Sequence, residues 1–266
     1  MLLFARDARR TVLTDAGRAL LPDAQQALAA ATRLRERAAE AARGAVGRVG
    51  VGFVWSTLRG YLPGLVAAAA ERHPEIELSV SQLHYLEIIP SLRRGDVDLT
   101  ITRRVHEDNE MVDQVLRHEP SLLAVPEAHP LAAETLVDLE ALDGLPLIAL
   151  RRQLVGGAFD AVLGRLRDRG ITPRIVHEAR SPTEALALVS AGLGVYQLPA
   201  NAATPHAGVV YRRLRDVVSP IVLLRRPEPP APPVAAIVQL AQELFIDAPD
   251  ASNDAVAGLE TGVAPA

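Results

Sequence analysis

A heptad-like repeat of apolar positions near the start of the chain predicts one long helix over Asp15–Arg43. Thr14 is a favourable N-cap, and Gly44 follows the last periodic residue. Pro22 lies inside the stretch and should kink the helix. The stripe either packs on the chain's own body or joins two copies, and the glycine-bounded joint at residues 44–47 favours self-association. The apolar stripe consists of Leu20, Ala24, Ala27, Ala31, Leu34, Ala38 and Ala41.

From residue 47 onward, short apolar runs alternate with amphipathic stretches, which predicts repeated strand–helix units. The predicted strands are 48–55, 75–82, 97–103, 112–118, 121–125, 145–150, 174–177, 193–198, 209–214 and 220–226. The predicted helices are 57–73, 85–94, 157–169, 182–191 and 233–245. Pro120 separates two strands with no helix between them, and we place a crossover there. This pattern predicts an α/β protein of two lobes, with mostly parallel sheets covered by helices.

Composition narrows the function classes. The 266 residues include 28 basic and 32 acidic side chains, and every basic residue is arginine. Cysteine is absent, which excludes disulfides and thiolate chemistry, and no apolar run is long enough for an ordinary spanning helix or a signal peptide. A soluble cytoplasmic protein is therefore the default expectation. Residues 1–48 carry nine arginines against five acids, a weak indication of contact with nucleic acid at this end.

The candidate chemistry lies at the carboxyl ends of the predicted strands, where α/β proteins bind ligands. Ser56 and Thr57 are either helix caps or an anion site at a helix start. Tyr85 opens the next helix, Arg103 ends the third strand, and Gly157 and Phe159 open a helix further along. Each aromatic side chain also suits a core. Together with Arg103 they predict an apolar pocket with one fixed cation, suited to a small aromatic or unsaturated carboxylate.

Other functional motifs are missing from the sequence. The glycines of Gly50-x-Gly52 lie inside a strand, and Trp55 stands where a dinucleotide fingerprint needs a third glycine. The seven histidines show no metal-binding spacing, and Ser56 lacks a nucleophile elbow. We therefore expect no cofactor, no metal and no catalytic residues.

Four segments, in order and spacing, resemble the LysR-type transcriptional regulators. The first contains Leu-Thr-x-Ala-Gly at residues 13–17 and is similar to the end of that family's winged helix-turn-helix and its linker helix. The others are GRVGVGFVWSTLRGYLPGLV, SLRRGDVDLTITR and ALVSAGLGVYQLPA. Residues 171–195 are similar to regulators of aromatic-compound catabolism, although Tyr85 replaces a small hydroxyl residue and Arg151-Arg152 an aromatic-proline pair.

The resemblance implies a two-lobe fold like the type 2 periplasmic binding proteins. It divides the chain into a wing remnant (1–14), a linker helix and joint (15–46), effector-binding lobe I (47–118 and 221–246), lobe II (119–220) and a disordered tail (247–266). It places Ser56, Tyr85, Arg103 and Phe159 at effector-contacting positions.

The resemblance also implies partners: promoter DNA, a small carboxylate effector, a homodimer or tetramer and RNA polymerase, with no membrane. Arg6, Arg9 and Arg10 would contact DNA phosphate, while the recognition helix would precede Leu2 and is expected to be missing. The favoured hypothesis is thus a LysR-type regulator under allosteric control by its effector. The alternatives are a stand-alone small-molecule-binding module without specific DNA binding and, less favoured, an enzyme.

Overall fold

The computed structural model describes residues 2–7, 10–43, 47–104, 110–152 and 157–246. The predicted helix stop at Gly44 and the predicted tail at residues 247–266 lie outside these ranges. The described part begins with a hairpin and one long helix, which a large mixed sheet follows.

The hairpin pairs strands β1 (Phe4–Asp7) and β2 (Arg10–Leu13) and leads directly into helix α1 (Asp15–Arg43), whose bounds agree with the prediction. Thr14 caps the helix as expected, because its hydroxyl accepts a hydrogen bond from the Gly17 amide at 3.0 Å. The same hydroxyl donates to the Leu2 carbonyl at 2.8 Å, so one side chain ties the hairpin to the helix.

Gly17 explains the last position of the Leu-Thr-x-Ala-Gly motif. A Cβ atom at this residue would lie 2.2 Å from the carbonyl oxygen of Leu3, closer than any real contact allows. We expect Gly17→Ala to push the hairpin off the helix and increase amide hydrogen exchange across residues 2–14. Gly64→Ala is the control, since nothing lies within 4 Å of its Cβ position and alanine favours a helix. Unchanged exchange in Gly17→Ala would show that this close approach does not hold the hairpin.

Nine further strands of the described part form one continuous sheet. They are β3 (Gly47–Phe53), β4 (Ile76–Gln82), β5 (Leu99–Arg103), β6 (Val112–Pro126), β7 (Leu136–Val137), β8 (Pro146–Leu150), β9 (Arg174–Ala179), β10 (Val195–Pro199) and β11 (Val209–Arg225). Their order in the sheet is β4-β3-β5-β11-β6-β10-β8-β9, and the short β7 pairs beside β11. The helices are α2 (Trp55–Arg72), α3 (Ile88–Arg94), α4 (Gly157–Asp168), α5 (Pro182–Ser190) and α6 (Pro232–Ile246). Gly95 ends α3 in the left-handed conformation, with φ of 72°.

The predicted break at Pro120 is wrong. Strand β6 runs unbroken through Pro120, and the two predicted closing strands are likewise one strand, β11. These two long strands pair antiparallel along both halves of the sheet, with a register shift between Arg213 and Val218. A proline lacks an amide hydrogen but is tolerated where a ladder is irregular, so it does not end the strand here. The sheet is consequently mixed: five of the eight strand pairings described in it are parallel, whereas β6 pairs antiparallel with β10 and β11, and β11 pairs antiparallel with β5.

Helices cover the sheet and bury three apolar clusters. In the half containing β3 to β5, α2 and α6 pack together, and the rings of Tyr61 and Phe245 meet edge-to-face with centroids 4.9 Å apart. The other half buries Leu142 and Leu166 beside β8 and β10. The long strands β6 and β11 belong to both halves of the sheet. The space between the two halves lies at the first turn of α2 and the end of β5.

Candidate functional site

A cavity of about 130 Å³ opens between the start of α2, the end of β5 and the strands β8 and β10. Its polar lining includes Ser56, Tyr85 and Arg103, three of the residues predicted from the sequence. The opposite wall is apolar. It consists of Leu147, Ile148, Ala149, Leu150 and Leu163. The site therefore has one end rich in hydrogen-bonding groups and one end suited to hydrocarbon.

Arg103 is the centre of the polar end, and only 4% of it is exposed. Its Nε donates to the Ser56 hydroxyl at 3.2 Å, and that hydroxyl lies 2.8 Å from the hydroxyl of Tyr85. Its Nη2 donates to the carboxylate of Glu119 and to the side-chain oxygen of Asn201, each at 2.6 Å. These contacts fix the plane of the guanidinium group.

Three buried side-chain atoms that line or adjoin the cavity have no hydrogen-bond partner in the described structure: Arg103 Nη1, Trp55 Nε1 and Ser121 Oγ. The first two can only donate a hydrogen bond, and the hydroxyl can donate or accept. A buried donor without a partner costs free energy. A ligand that offers oxygen acceptors would supply what this end of the cavity lacks.

The charge of Arg103 is already balanced inside the protein. Glu119 pairs with it, and the two side chains are 5% and 3% exposed. The hydroxyl of Tyr61 donates to the other oxygen of this carboxylate at 2.5 Å. Burial, reinforced by the charge of Glu119, raises the pKa of Tyr61 far above its ordinary range. The sequence-based picture of a lone fixed cation is thus incomplete, because the cation belongs to a buried ion pair.

Two more arginines lie at the cavity lining. Arg104 forms a two-pronged contact with the carboxylate of Asp113, at 2.7 and 3.0 Å. Arg165 donates to the carbonyl of Val218 at 3.0 Å, and desolvation lowers the pKa of its guanidinium group from the ordinary value. The charge of Arg104 is thus balanced by a carboxylate, as that of Arg103 is by Glu119.

The tyrosines of the site are neutral hydrogen-bonding groups. Burial raises the pKa of Tyr85, whereas Arg103 and the hydrogen bond from Ser56 act in the opposite direction. Burial also raises the pKa of Tyr196, which lines the cavity beside β8. Neither hydroxyl is therefore suited to act as a base near neutral pH.

Thr57 does not line the cavity. Its hydroxyl is fully buried and donates to backbone carbonyls, that of Ile101 at 2.7 Å and that of Val54 at 3.1 Å. The predicted cap at Ser56 or Thr57 is also wrong, because α2 begins earlier and Val54 is its N-cap. Both hydroxyls instead lie in the first turn, where one faces the cavity and the other braces the helix against β5.

The remaining predicted residues lie where the structure gives no side-chain description. Gly157 and Phe159 begin α4 as expected, but the side chain of Phe159 lies outside the described part. The side chains of Arg6 and Arg10, on the hairpin strands, and the whole of Arg9 are also outside it. Their contacts with effector or DNA stay predictions.

Sequence reasoning missed Glu119, Ser121 and Asn201. Glu119 and Ser121 flank Pro120, which was interpreted as a break, although an acid and a hydroxyl two residues apart share one face of a strand. Asn201 follows β10 by two residues and gave no signal, because its partners are 98 and 145 residues away in the sequence.

The LysR substrate binding domain family matches residues 42–245, which is most of the chain. The chain belongs to the LysR family. The HTH-type transcriptional regulator IlvR of Caulobacter vibrioides is 32% identical over 251 residues, which cover 91% of this chain and 82% of that protein. The probable cat1 operon transcriptional activator of Acinetobacter lwoffii is 29% identical over 250 residues, covering 93% and 82%. These relatives are regulators of transcription rather than enzymes.

Solved structures place this LysR-family chain in the predicted fold class. The LysR-family regulator CbnR matches with a TM-score of 0.70 at 28% identity, covering 88% of this chain and 82% of that one. CbnR with its target DNA matches at 27% identity with a TM-score of 0.64, covering 91% and 84%. The BenM effector-binding domain with benzoate matches at 21% identity with a TM-score of 0.68, covering 77% and 96%, which shows the fold alone. The type 2 periplasmic-binding-like architecture is confirmed.

Two further features concern only the described part of this LysR-family chain. None of its helices combines the length and the apolar character that crossing a membrane requires. Its His, Asp and Glu side chains form no group of three or more that is arranged to hold a metal ion.

Proposed function

We propose that this LysR-family regulator binds a small carboxylate, aromatic or unsaturated, in the cavity at Arg103 and controls transcription in response. The observation that carries the proposal is the set of three buried polar atoms without partners in a cavity that also has an apolar wall along β8. A carboxylate offers two oxygens with several lone pairs, and it would accept from Arg103 Nη1 and Trp55 Nε1.

The size of the cavity supports a ligand with one small ring or a short unsaturated chain. An apolar cavity of about 150 Å³ holds one benzene molecule. The cavity here is about 130 Å³, and its hydrocarbon wall extends along β8. A compact acid would place its carboxylate at Arg103 and its apolar part against Leu147 and Leu150.

The arrangement of the lining suggests how binding acts on the fold. Ser56, Tyr85 and Arg103 come from proposed lobe I (47–118 and 221–246), whereas Ser121 and Tyr196 come from proposed lobe II (119–220). A ligand that contacts both lobes favours their closed arrangement. It changes the balance of conformations by the difference between its affinities for the closed and open arrangements.

Regulation then requires a path from the cavity to DNA. Leu20 and Leu34, both in the apolar stripe of α1, are 40% and 72% exposed, an apolar surface suited to joining two copies into the proposed dimer or tetramer. The hairpin would carry Arg6, Arg9 and Arg10 to DNA phosphates, and RNA polymerase would be the further partner. Such a regulator acts in the cytoplasm without catalysis and without a cofactor.

The test uses Trp55, the single tryptophan of the chain, as a reporter in the cavity wall. We expect benzoate, cinnamate or sorbate to change its fluorescence saturably, whereas the matching neutral amide does not. Arg103→Lys should weaken binding about ten- to hundredfold, because lysine keeps a charge for Glu119 but loses the Nη1 donors.

Arg72→Lys is the matched control. Arg72 lies at the end of α2, is half-exposed, pairs with Glu243 and does not line the cavity. It should bind the acid as the unmodified protein does. The proposal fails if none of the three acids binds at millimolar concentration, or if acid and amide bind equally well.

A further inference from the structure

Asn201 joins two sides of the cavity although it is not among the residues that line it. It lies in the short 3-10 turn Ala200–Ala202, directly after β10. Both the nitrogen and the oxygen of its side-chain amide form hydrogen bonds. The nitrogen donates to the backbone carbonyl of Ser56 at 2.6 Å, and the oxygen accepts from Arg103 Nη2 at 2.6 Å.

The backbone of α2 is shaped to receive this side chain. A Cβ atom on Gly60 would lie 3.1 Å from the amide nitrogen of Asn201 and 3.2 Å from its Cβ. These distances are tighter than ordinary contacts, so glycine at this position leaves room for Asn201 against the second turn of α2. The contact is therefore close packing as well as a pair of hydrogen bonds.

The two bonds connect parts of the sheet that are otherwise far apart along the chain. β10 pairs with β6 and β8, in the half that supplies the apolar wall. Ser56 and Arg103 belong to α2 and β5, in the other half. The amide of Asn201 thus bridges the start of α2 and the end of β10 without using the long strands that both halves share.

The same amide also decides which donors of Arg103 face the ligand. Nη2 donates to Glu119 and Asn201, each at 2.6 Å, and to the Ser56 carbonyl at 3.3 Å, while Nη1 has no partner. Without the oxygen of Asn201, Nη2 would lose one of its two shortest acceptors, and the guanidinium group would be held less firmly. Asn201 therefore contributes to the direction in which Arg103 presents its free donors.

We propose that Asn201 is a positioning residue that holds the end of β10 against the start of α2 and aims Arg103 at the effector. The aiming of Arg103 rests on the proposed function, since it assumes a ligand at Arg103. The bridge between β10 and α2 does not, because it exists without any ligand.

Two variants separate the two contacts. Asn201→Ala removes both. Asn201→Asp keeps an acceptor for Arg103 but places a carboxylate oxygen against the Ser56 carbonyl, where two acceptors repel. We expect both variants to shift the equilibrium between bridged and unbridged forms about fivefold toward the unbridged form, the value of one net hydrogen bond, which increases the acrylamide quenching of Trp55. We expect benzoate affinity to fall about tenfold in Asn201→Ala, and at least as far in Asn201→Asp, whose added negative charge beside Arg103 also repels benzoate.

His206→Ala is the control, because His206 is half-buried, its ring hydrogen-bonds the neighbouring Ala207 carbonyl, and it does not line the cavity. Circular dichroism establishes that each variant is folded, and Asn201→Asp, which keeps the side-chain shape, decides the question if Asn201→Ala does not fold. Quenching equal to that of the unmodified protein in a folded variant would overturn the bridge. Benzoate affinity equal to that of the unmodified protein in a folded variant would overturn the aiming of Arg103. If benzoate binds none of the proteins, the result contradicts the proposed function. The quenching result still decides whether Asn201 forms the bridge.

Discussion

As the pH rises above about 10, the folded protein should show much less tyrosinate absorbance than the unfolded chain, and its four tyrosines should ionise mainly when it unfolds. The chain has four tyrosines, Tyr61, Tyr85, Tyr196 and Tyr211, and all four are buried. Burial is the largest cause that raises the pKa of each one above its ordinary value. The neutral phenol is therefore the form that the fold requires.

The direction of the effect follows from proton linkage. In the unfolded chain a tyrosine ionises near pH 10, while in the folded chain its pKa is higher. The stabilisation is fully present below about pH 10 and is lost as pH rises toward the folded value. Each tyrosine that stays neutral in the fold removes about 1.4 kcal/mol of the free energy of unfolding per pH unit, so four remove at most about 5 to 6 kcal/mol per unit. A typical stability of about 5 to 15 kcal/mol would be exhausted within a few units.

The composition makes this experiment unusually clean. The chain contains no lysine and no cysteine, and arginine stays charged throughout this range. Tyrosine is thus the side chain that titrates there. Absorbance of tyrosinate and far-ultraviolet circular dichroism should change at one common pH. Tyr196→Phe, which removes one phenol, should reduce the slope by about one quarter. Gradual ionisation of the tyrosines in a protein that still has its native circular dichroism would contradict the prediction.

Features that depend on residues close together in the sequence could be predicted correctly. The periodicity of α1 and the cap at Thr14 depend on residues within a few positions of one another, and both were predicted correctly. Gly95 ended α3 for the same reason. Arg103 and Tyr85 could be found because strand ends converge in α/β folds, so their position in the topology was enough.

Features decided by distant parts of the chain were not predicted. Pro120 was interpreted as a boundary because proline disfavours strands, but pairing with β11 carries β6 through it. Thr57 resembled Ser56 in sequence, yet packing against β5 turned its hydroxyl to the Ile101 carbonyl. The partner of Arg103 was invisible for the same reason. Only the fold shows that Glu119, 16 residues along the chain, balances its charge.

The buried ion pair of Arg103 and Glu119 is the basis of the second large expected effect, a loss of stability. Glu119→Ala should lower the free energy of unfolding by about 3 to 5 kcal/mol, because it leaves the charge of Arg103 buried without its partner. The hydroxyl of Tyr61 would lose its acceptor as well. Urea unfolding at neutral pH measures the change. Glu243→Ala is the matched control. Its partner Arg72 and Glu243 itself are 51% and 47% exposed, so the loss should be below about 1 kcal/mol.

The same substitution should be reversible by a small anion if the missing charge is the cause. Glu119→Ala removes the carboxylate and leaves space beside Arg103, so formate could take its place. Ligand binding to the folded state raises stability with ligand concentration, and formate should therefore stabilise Glu119→Ala but not the unmodified protein. Sodium chloride at equal ionic strength controls for screening. A loss of stability that formate does not reverse would assign the effect to lost packing, whereas no loss at all would mean that the buried pair contributes nothing to the fold.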